Sequence, residues 1–124
     1  MEMHQELEEE LSVPLMLHIC GATVDRMPYI AQTGMAAFHF DSKNDPVEAM
    51  EAVDGKIRLV GNINNPTTLY ARGPEDVRAE VYAALDAGVQ LIAPECAIPL
   101  KTKLENLLEI PVAIEDWIAE RGWN

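Results

Sequence analysis

Three residues of this sequence are spaced so that their side chains could together bind a soft or borderline metal ion: His18, Cys20 and Cys96. One residue separates His18 from Cys20 in an apolar stretch, so both side chains project from the same face if that stretch is a β-strand. Cys96 follows another apolar stretch near the other end of the chain. An imidazole and two thiolates with a fourth position open are typical of a catalytic zinc site. The alternative is a packed core histidine with two free thiols, because a His-x-Cys pair alone is a weak signal.

The composition indicates one globular domain, residues 1–124, since 48% of the residues are hydrophobic and 24% are charged. A formal net charge of −12 argues against nucleic acid and an anionic membrane as partners. The apolar stretches are too short to span a bilayer, and the acidic N-terminus differs from a secretory signal. We therefore expect a cytoplasmic protein whose two cysteines are free thiols or metal ligands, not a disulfide.

The elements that must position these side chains repeat one pattern: an apolar stretch, a turn, and a helix-like segment that ends at glycine. The predicted strands are Leu15–Cys20, Ala36–Phe40, Ile57–Val60 and Gln90–Ala93. The predicted helices between them are Thr23–Thr33, Pro46–Val53 and Glu75–Ala87, which stop at Gly34, Gly55 and Gly88. Strands that alternate with helices predict an α/β fold with a parallel sheet of right-handed βαβ units.

Further helices are predicted at both ends of the chain, over His4–Leu11, Thr102–Leu108 and Pro111–Arg121. Four βα units correspond to half of an eight-stranded (β/α)8 barrel. Such a half-barrel leaves two sheet edges unpaired. The inner face of a half-barrel, which includes Met16 and Ala37, is also predicted to face water. We therefore expect the isolated chain to be a homo-oligomer whose copies cover each other's edges and inner faces.

Four segments of the chain resemble the uroporphyrinogen decarboxylase superfamily. They are Leu17-His18-Ile19-Cys20-Gly21, Leu59-Val60-Gly61-Asn62-Ile63, Ile92-Ala93-Pro94-Glu95-Cys96-Ala97-Ile98-Pro99 and Lys101-Thr102-Lys103-Leu104-Glu105-Asn106-Leu107. Within the superfamily the similarity is to the methylcobalamin:coenzyme M methyltransferase branch, from about Glu6 to Ile118. The resemblance implies the C-terminal half of a TIM barrel, with zinc bound by His18, Cys20 and Cys96.

The resemblance also implies an activity, namely zinc-dependent methyl transfer from a methylated corrinoid protein to a thiol such as coenzyme M. Methylcobalamin on the partner protein would be the methyl donor, and zinc would hold the substrate thiol as a thiolate. Two other functions remain open: a zinc-binding but inactive truncated half-barrel, and a metal-free uroporphyrinogen decarboxylase-like module. Metal content separates the last function from the others, and a methyl-transfer assay separates the first two.

Other polar residues lie at predicted strand ends. The resemblance implies a catalytic acidic residue that approaches the zinc when no thiol is bound, and Asp41 occupies that place; a helix-capping or solvated carboxylate is the alternative. Asn62 either hydrogen-bonds substrate at the barrel mouth or serves turn chemistry in the polar loop that Pro66 closes. His39 either orients a zinc ligand or packs in its strand. Glu95 stands where the resemblance predicts a small residue, and the sequence indicates no role for it.

Overall fold

The computed structural model describes residues 2–122 and contains one sheet of four parallel strands in the order β1-β2-β3-β4. The strands are β1 (Met16–His18), β2 (Ala37–His39), β3 (Arg58–Ile63) and β4 (Leu91–Pro94). The helices are α1 (Glu2–Glu10), α2 (Met27–Ile30), α3 (Pro46–Val53), α4 (Pro74–Ala87) and α5 (Leu104–Arg121). A 3-10 turn over Val24–Arg26 precedes α2, and a π-helical turn over Asn65–Leu69 follows β3. The predicted parallel α/β fold of four βα units is confirmed.

Side-chain alternation gives the sheet one face packed on helices and one face that carries polar and exposed residues. Phe38 and Phe40 are fully buried in the core between the sheet and the helices, and Leu17 packs against the same core. Met16 and His18 project from the opposite face and are exposed. The alternation predicted for the first two strands is therefore present in the structure.

The inner face is only partly open to water. Met16 is 53% exposed, as predicted, whereas Ala37 is 6% exposed, so the prediction that Ala37 faces water is wrong. Ala37 lies on an inner strand and stands in register with Met16 on one side and Arg58 on the other. Its methyl group is shielded because both neighbours carry long side chains.

The segment predicted as one helix over Thr23–Thr33 instead forms the 3-10 turn and the single helical turn of α2. Pro28 lies in the first turn of α2, where its missing N–H removes no helical hydrogen bond. After Ile30 the chain continues in turns, where the backbone N–H and the hydroxyl of Thr33 both donate to the carbonyl of Ile30. The prediction of one long helix was therefore wrong, because three-residue turn bonds take the place of helical bonds here.

The two closing helices predicted from the sequence are one continuous helix, α5, with Pro111 inside it. Proline has no N–H, so the carbonyl four residues earlier loses its helical partner. Ile110 and Ala113 of α5 are buried in a core cluster with Val77 and Val81 of α4, and this packing outweighs the local effect of proline. Among residues 2–122, every helix is too short or too polar to span a bilayer.

Candidate metal centre

The structure brings His18, Cys20 and Cys96 together at the carboxyl ends of the two outer strands, β1 and β4. His18 Nε2 lies 3.2 Å from Cys20 Sγ, and Cys20 Sγ lies 3.4 Å from Cys96 Sγ. The three donor atoms are all within 4.8 Å of one another, and all three residues are exposed. Two sulfurs bound to a tetrahedral zinc at about 2.3 Å each stand about 3.8 Å apart. The donor set therefore fits one metal ion and leaves one coordination position free for another ligand.

The orientation of the His18 ring is determined by the backbone of the neighbouring strand. His18 Nδ1 lies 3.0 Å from the carbonyl oxygen of His39. A carbonyl oxygen only accepts hydrogen bonds, so Nδ1 carries the proton. This leaves Nε2 as the nitrogen that faces the two thiols, an arrangement typical of metal-ligating histidines.

His39 connects the two outer strands. Its ring lies beside the His18 ring, with 4.5 Å between the ring centroids. His39 Nε2 donates a hydrogen bond of 2.6 Å to the carbonyl oxygen of Pro94 in β4. Its own carbonyl accepts from His18, so His39 orients the imidazole through its backbone while its ring reaches β4.

The two thiols share a hydrogen bond that separates their pKa values. The bond from Cys20 lowers the pKa of Cys96, and the backbone N–H of Ala97 acts in the same direction. The same interaction raises the pKa of Cys20, together with desolvation of the thiol and the nearby negative charges. Cys96 therefore loses its proton first, and a bound cation would favour loss of the second.

Asp41 lies outside the group of three donor residues. Its Oδ2 accepts a hydrogen bond of 3.0 Å from the N–H of Gly21, and its Oδ1 accepts one of 2.8 Å from the N–H of Lys43. Burial acts to raise the pKa of this carboxyl, but the hydrogen bonds outweigh it and the pKa is lowered. In this arrangement Asp41 connects the loops after β1 and β2, and its approach to a metal ion stays a prediction.

Asn62 is a buried residue near the end of β3, not in the loop that follows. Its Nδ2 donates to the carbonyl oxygens of Asn44 at 2.9 Å and Asp41 at 3.3 Å. It also lines a cavity of about 200 Å³ beside Glu80 of α4. These hydrogen bonds join Asn62 to the loop after β2, and a contact with substrate stays a prediction.

Sequence reasoning missed the role of Glu95 and its contact with Asn65. Glu95 is buried, and its two carboxylate oxygens accept hydrogen bonds from the N–H groups of Ser42 at 2.7 Å and Asn65 at 3.0 Å. The available signal was a glutamate inside an otherwise apolar segment, which needs polar partners if it is buried. The partners are backbone amides 53 and 30 positions away, and the sequence does not identify them.

The sequence is similar to a known protein family and to known methyltransferases. The sequence profile described as uroporphyrinogen decarboxylase (URO-D) matches residues 1–117. A methylcobamide:CoM methyltransferase, MtaA of Methanosarcina barkeri, is 30% identical over 116 residues, which are 93% of this chain and 34% of that protein. Another, MtbA of Methanosarcina mazei, is 36% identical over 99 residues, which are 80% of this chain and 29% of that protein.

The fold is also similar to a solved structure, a methyltransferase from Methanosarcina mazei. The TM-score is 0.89 at 27% sequence identity, and the similarity covers 94% of this chain and 35% of that chain. The chain thus spans about a third of the length of the relatives that it matches.

Proposed function

The chain belongs to the uroporphyrinogen decarboxylase family, and on that basis we propose that it is the metal-bearing C-terminal part of a methyltransferase that methylates a thiol. The observation that carries the proposal is the convergence of one imidazole and two thiols at the carboxyl edge of the sheet. Carboxyl ends of parallel strands are where α/β enzymes build their sites. The similar proteins named for methylcobamide and CoM support the same reaction class.

In this proposal His18, Cys20 and Cys96 hold zinc, which suits a mixed set of nitrogen and sulfur donors. When bound, zinc would keep the substrate thiol in its thiolate form near neutral pH. The protein's part is to present His18 Nε2, by placing the proton on Nδ1, and to keep both cysteine sulfurs within reach. Two thiolate ligands already balance the charge of Zn²⁺, so a substrate thiolate makes the site negative and its sulfur electron-rich.

The methyl donor in this proposal is methylcobalamin carried by a corrinoid partner protein, and the acceptor is a thiol such as coenzyme M. In that reaction the substrate sulfur would form a bond to the methyl carbon, and the bond between that carbon and cobalt would break with its electron pair remaining on cobalt. Asp41 would bind the metal in the absence of thiol. Asn62 would contact substrate at the same edge of the sheet.

A second candidate function is zinc binding without turnover. Two observations favour it. The chain covers about a third of the relatives' length, and within residues 2–122 the outer edges of β1 and β4 pair with no other strand. A methyl-transfer assay of the purified chain with methylcobalamin and coenzyme M separates the candidates. Product formation supports the first candidate, and zinc binding without product supports the second.

The test of the metal site is the zinc content of the purified chain. We expect a near-stoichiometric amount in the wild type and a loss of affinity by orders of magnitude in the Cys20→Ala/Cys96→Ala double variant, because only one donor remains. His18→Ala should also weaken binding, whereas His4→Ala, which changes a histidine of α1, should not. Full zinc retention by the double variant would contradict the assignment.

A further inference from the structure

Cys96 lies two residues beyond the end of β4, in an exposed segment without regular secondary structure. The residues before and after Cys96 nevertheless form hydrogen bonds with the end of β3 and with the segment that follows it. Before it, the N–H of Glu95 donates to the carbonyl of Ile63 at 2.9 Å, and the Glu95 carboxylate accepts from the N–H of Asn65 at 3.0 Å. After it, Asn65 Nδ2 donates to the carbonyl of Ala97 at 2.9 Å. Asn65 therefore contacts both chain neighbours of Cys96.

The side chains that make these contacts are buried, which strengthens their effect on the position of the backbone beside Cys96. Glu95 is 6% exposed and Asn65 is 3% exposed. The second carboxylate oxygen of Glu95 accepts from the N–H of Ser42, which lies in the loop after β2. Hydrogen bonds from N–H groups to a carboxylate are about twice as strong as neutral ones. Removing the carboxylate would also leave two backbone N–H groups without their partner, which is a further destabilising effect.

We propose that Glu95 and Asn65 are positioning residues, which hold Cys96 close enough to Cys20 and His18 for the three to share one metal ion. Neither residue belongs to the group of three donors, so both would act through the backbone beside Cys96. The consequence of this positioning for metal binding rests on the proposed function.

The chain offers a matched control in Asn106 of α5. Asn106 is fully buried, and its Nδ2 donates to the carbonyls of Leu69 and Arg72 at 2.8 Å each. The substitution Asn106→Ala removes a buried polar side chain and its two hydrogen bonds to the backbone. Neither of these bonds lies next to His18, Cys20 or Cys96. A general loss of stability should therefore affect Asn106→Ala as much as Glu95→Ala.

The first experiment compares zinc-loaded variants by competition titration and by X-ray absorption at the zinc edge. We expect Glu95→Ala to weaken zinc binding by about 10- to 100-fold, as found for residues that orient metal ligands. The number of sulfur ligands should fall from two to one as Cys96 leaves. Asn65→Ala should act in the same direction, and Asn106→Ala should retain both sulfurs. Two sulfur ligands and unchanged affinity in Glu95→Ala would overturn the proposal.

The second experiment needs no metal. Phenylarsine oxide bonds two neighbouring thiols at once, and its adduct is measured by mass spectrometry. We expect Glu95→Ala to form the bridged adduct several-fold more slowly than the wild type and Asn106→Ala to equal the wild type. A wild type that binds the arsenical but not zinc contradicts the proposed function alone. Equal rates in Glu95→Ala and Asn106→Ala contradict the positioning role alone.

Should Glu95→Ala not fold, Glu95→Gln, which retains one acceptor oxygen, replaces it in both experiments.

Discussion

At the scale of single residues, one hydrogen bond decides which nitrogen of His18 is available to a ligand. The bond from Nδ1 to the carbonyl of His39 places the proton on the far side of the ring from the thiols. Any residue at position 39 supplies a carbonyl, but the His39 ring additionally binds the carbonyl of Pro94. The imidazole of His18 is therefore oriented by a strand that is itself connected to the strand preceding Cys96.

The proposed role of Asp41 gives a prediction at the same scale. Asp41→Ala should leave zinc bound, because the imidazole and both thiols remain. If Asp41 binds the metal in the absence of thiol, X-ray absorption should show the loss of one oxygen ligand near 2.0–2.2 Å. Asp45→Ala, which removes the carboxylate that caps α3, is the control and should not alter the spectrum. If the spectrum of Asp41→Ala is identical to that of the wild type, Asp41 does not bind the metal and only connects the loops after β1 and β2.

The sequence indicated that His18, Cys20 and Cys96 lie at one edge of the sheet, but not the contacts of the residues around them. Parallel strands place the three residues at the same edge, but β2 and β3 lie between β1 and β4, so their direct contact had to come from the structure. The bonds from Gly21 to Asp41 and from Asn65 to Glu95 likewise join each carboxylate to a backbone N–H at least 20 positions away. Periodicity and turn chemistry carry no information on such pairs, so these contacts had to come from the structure.

At the scale of elements, α4 carries a carboxylate on the face that packs toward the sheet. Glu80 is half-buried, and its Oε1 accepts a hydrogen bond of 3.3 Å from the N–H of Asn64. Its Oε2 is buried and has no hydrogen-bond partner among the described residues. Burial raises the pKa of Glu80, and although the hydrogen bond from the N–H of Asn64 opposes this, the net shift is upward.

This shift predicts a pH dependence of stability. Since the pKa of Glu80 is higher in the folded state, its contribution is fully present below the unfolded value of about 4.3 and is lost as pH rises through the folded value. Glu80→Gln keeps an acceptor for Asn64 and cannot ionise, so we expect it to be more stable than the wild type at neutral pH. The difference should disappear at acidic pH. Urea titrations at several pH values measure this, with the exposed Glu51→Gln as control. A pH-independent difference would contradict the prediction.

The helices differ in how far local sequence determines them. α3 has the predicted bounds because Asp45 caps its first turn and Pro46 starts it, and α4 ends at Gly88, whose φ is 99°. These are local signals that act within a few residues. The continuity of α5 through Pro111 depends instead on packing against α4, which is a tertiary effect. The sequence alone therefore predicted a break there.

At the scale of the whole molecule, the outer strands and part of α5 present apolar side chains to water. Met16 on β1 and Leu91 on β4 are each about half exposed. Further exposed apolar residues follow one stripe of α5, namely Leu104, Leu108 and Val112. An outer strand with a free, apolar edge is prone to pair with another chain.

We therefore expect the isolated chain to form a dimer at micromolar concentration, in which the outer strands of two copies pair. Leu91→Lys should weaken the dimer, because a charged residue on an edge strand opposes pairing. Val47→Lys, at an equally exposed position of α3, should not. Sedimentation velocity measures both. A compact monomer with a cooperative melt would show that the chain covers its own edges.

The position of the donor residues has a consequence for the chain as a polymer. His18 is the last residue of the first strand, and Cys96 follows the last strand. An ion bound by both would therefore be a cross-link, which closes a loop that contains most of the sheet. An ion that binds only the folded chain stabilises it by RT ln(1 + [L]/Kd), about 4 kcal/mol at a thousandfold excess over Kd. Melts with zinc and with a chelator should differ accordingly, and Cys96→Ala should remove the difference. Chelation would then loosen the two outer strands from each other as well as remove the ion.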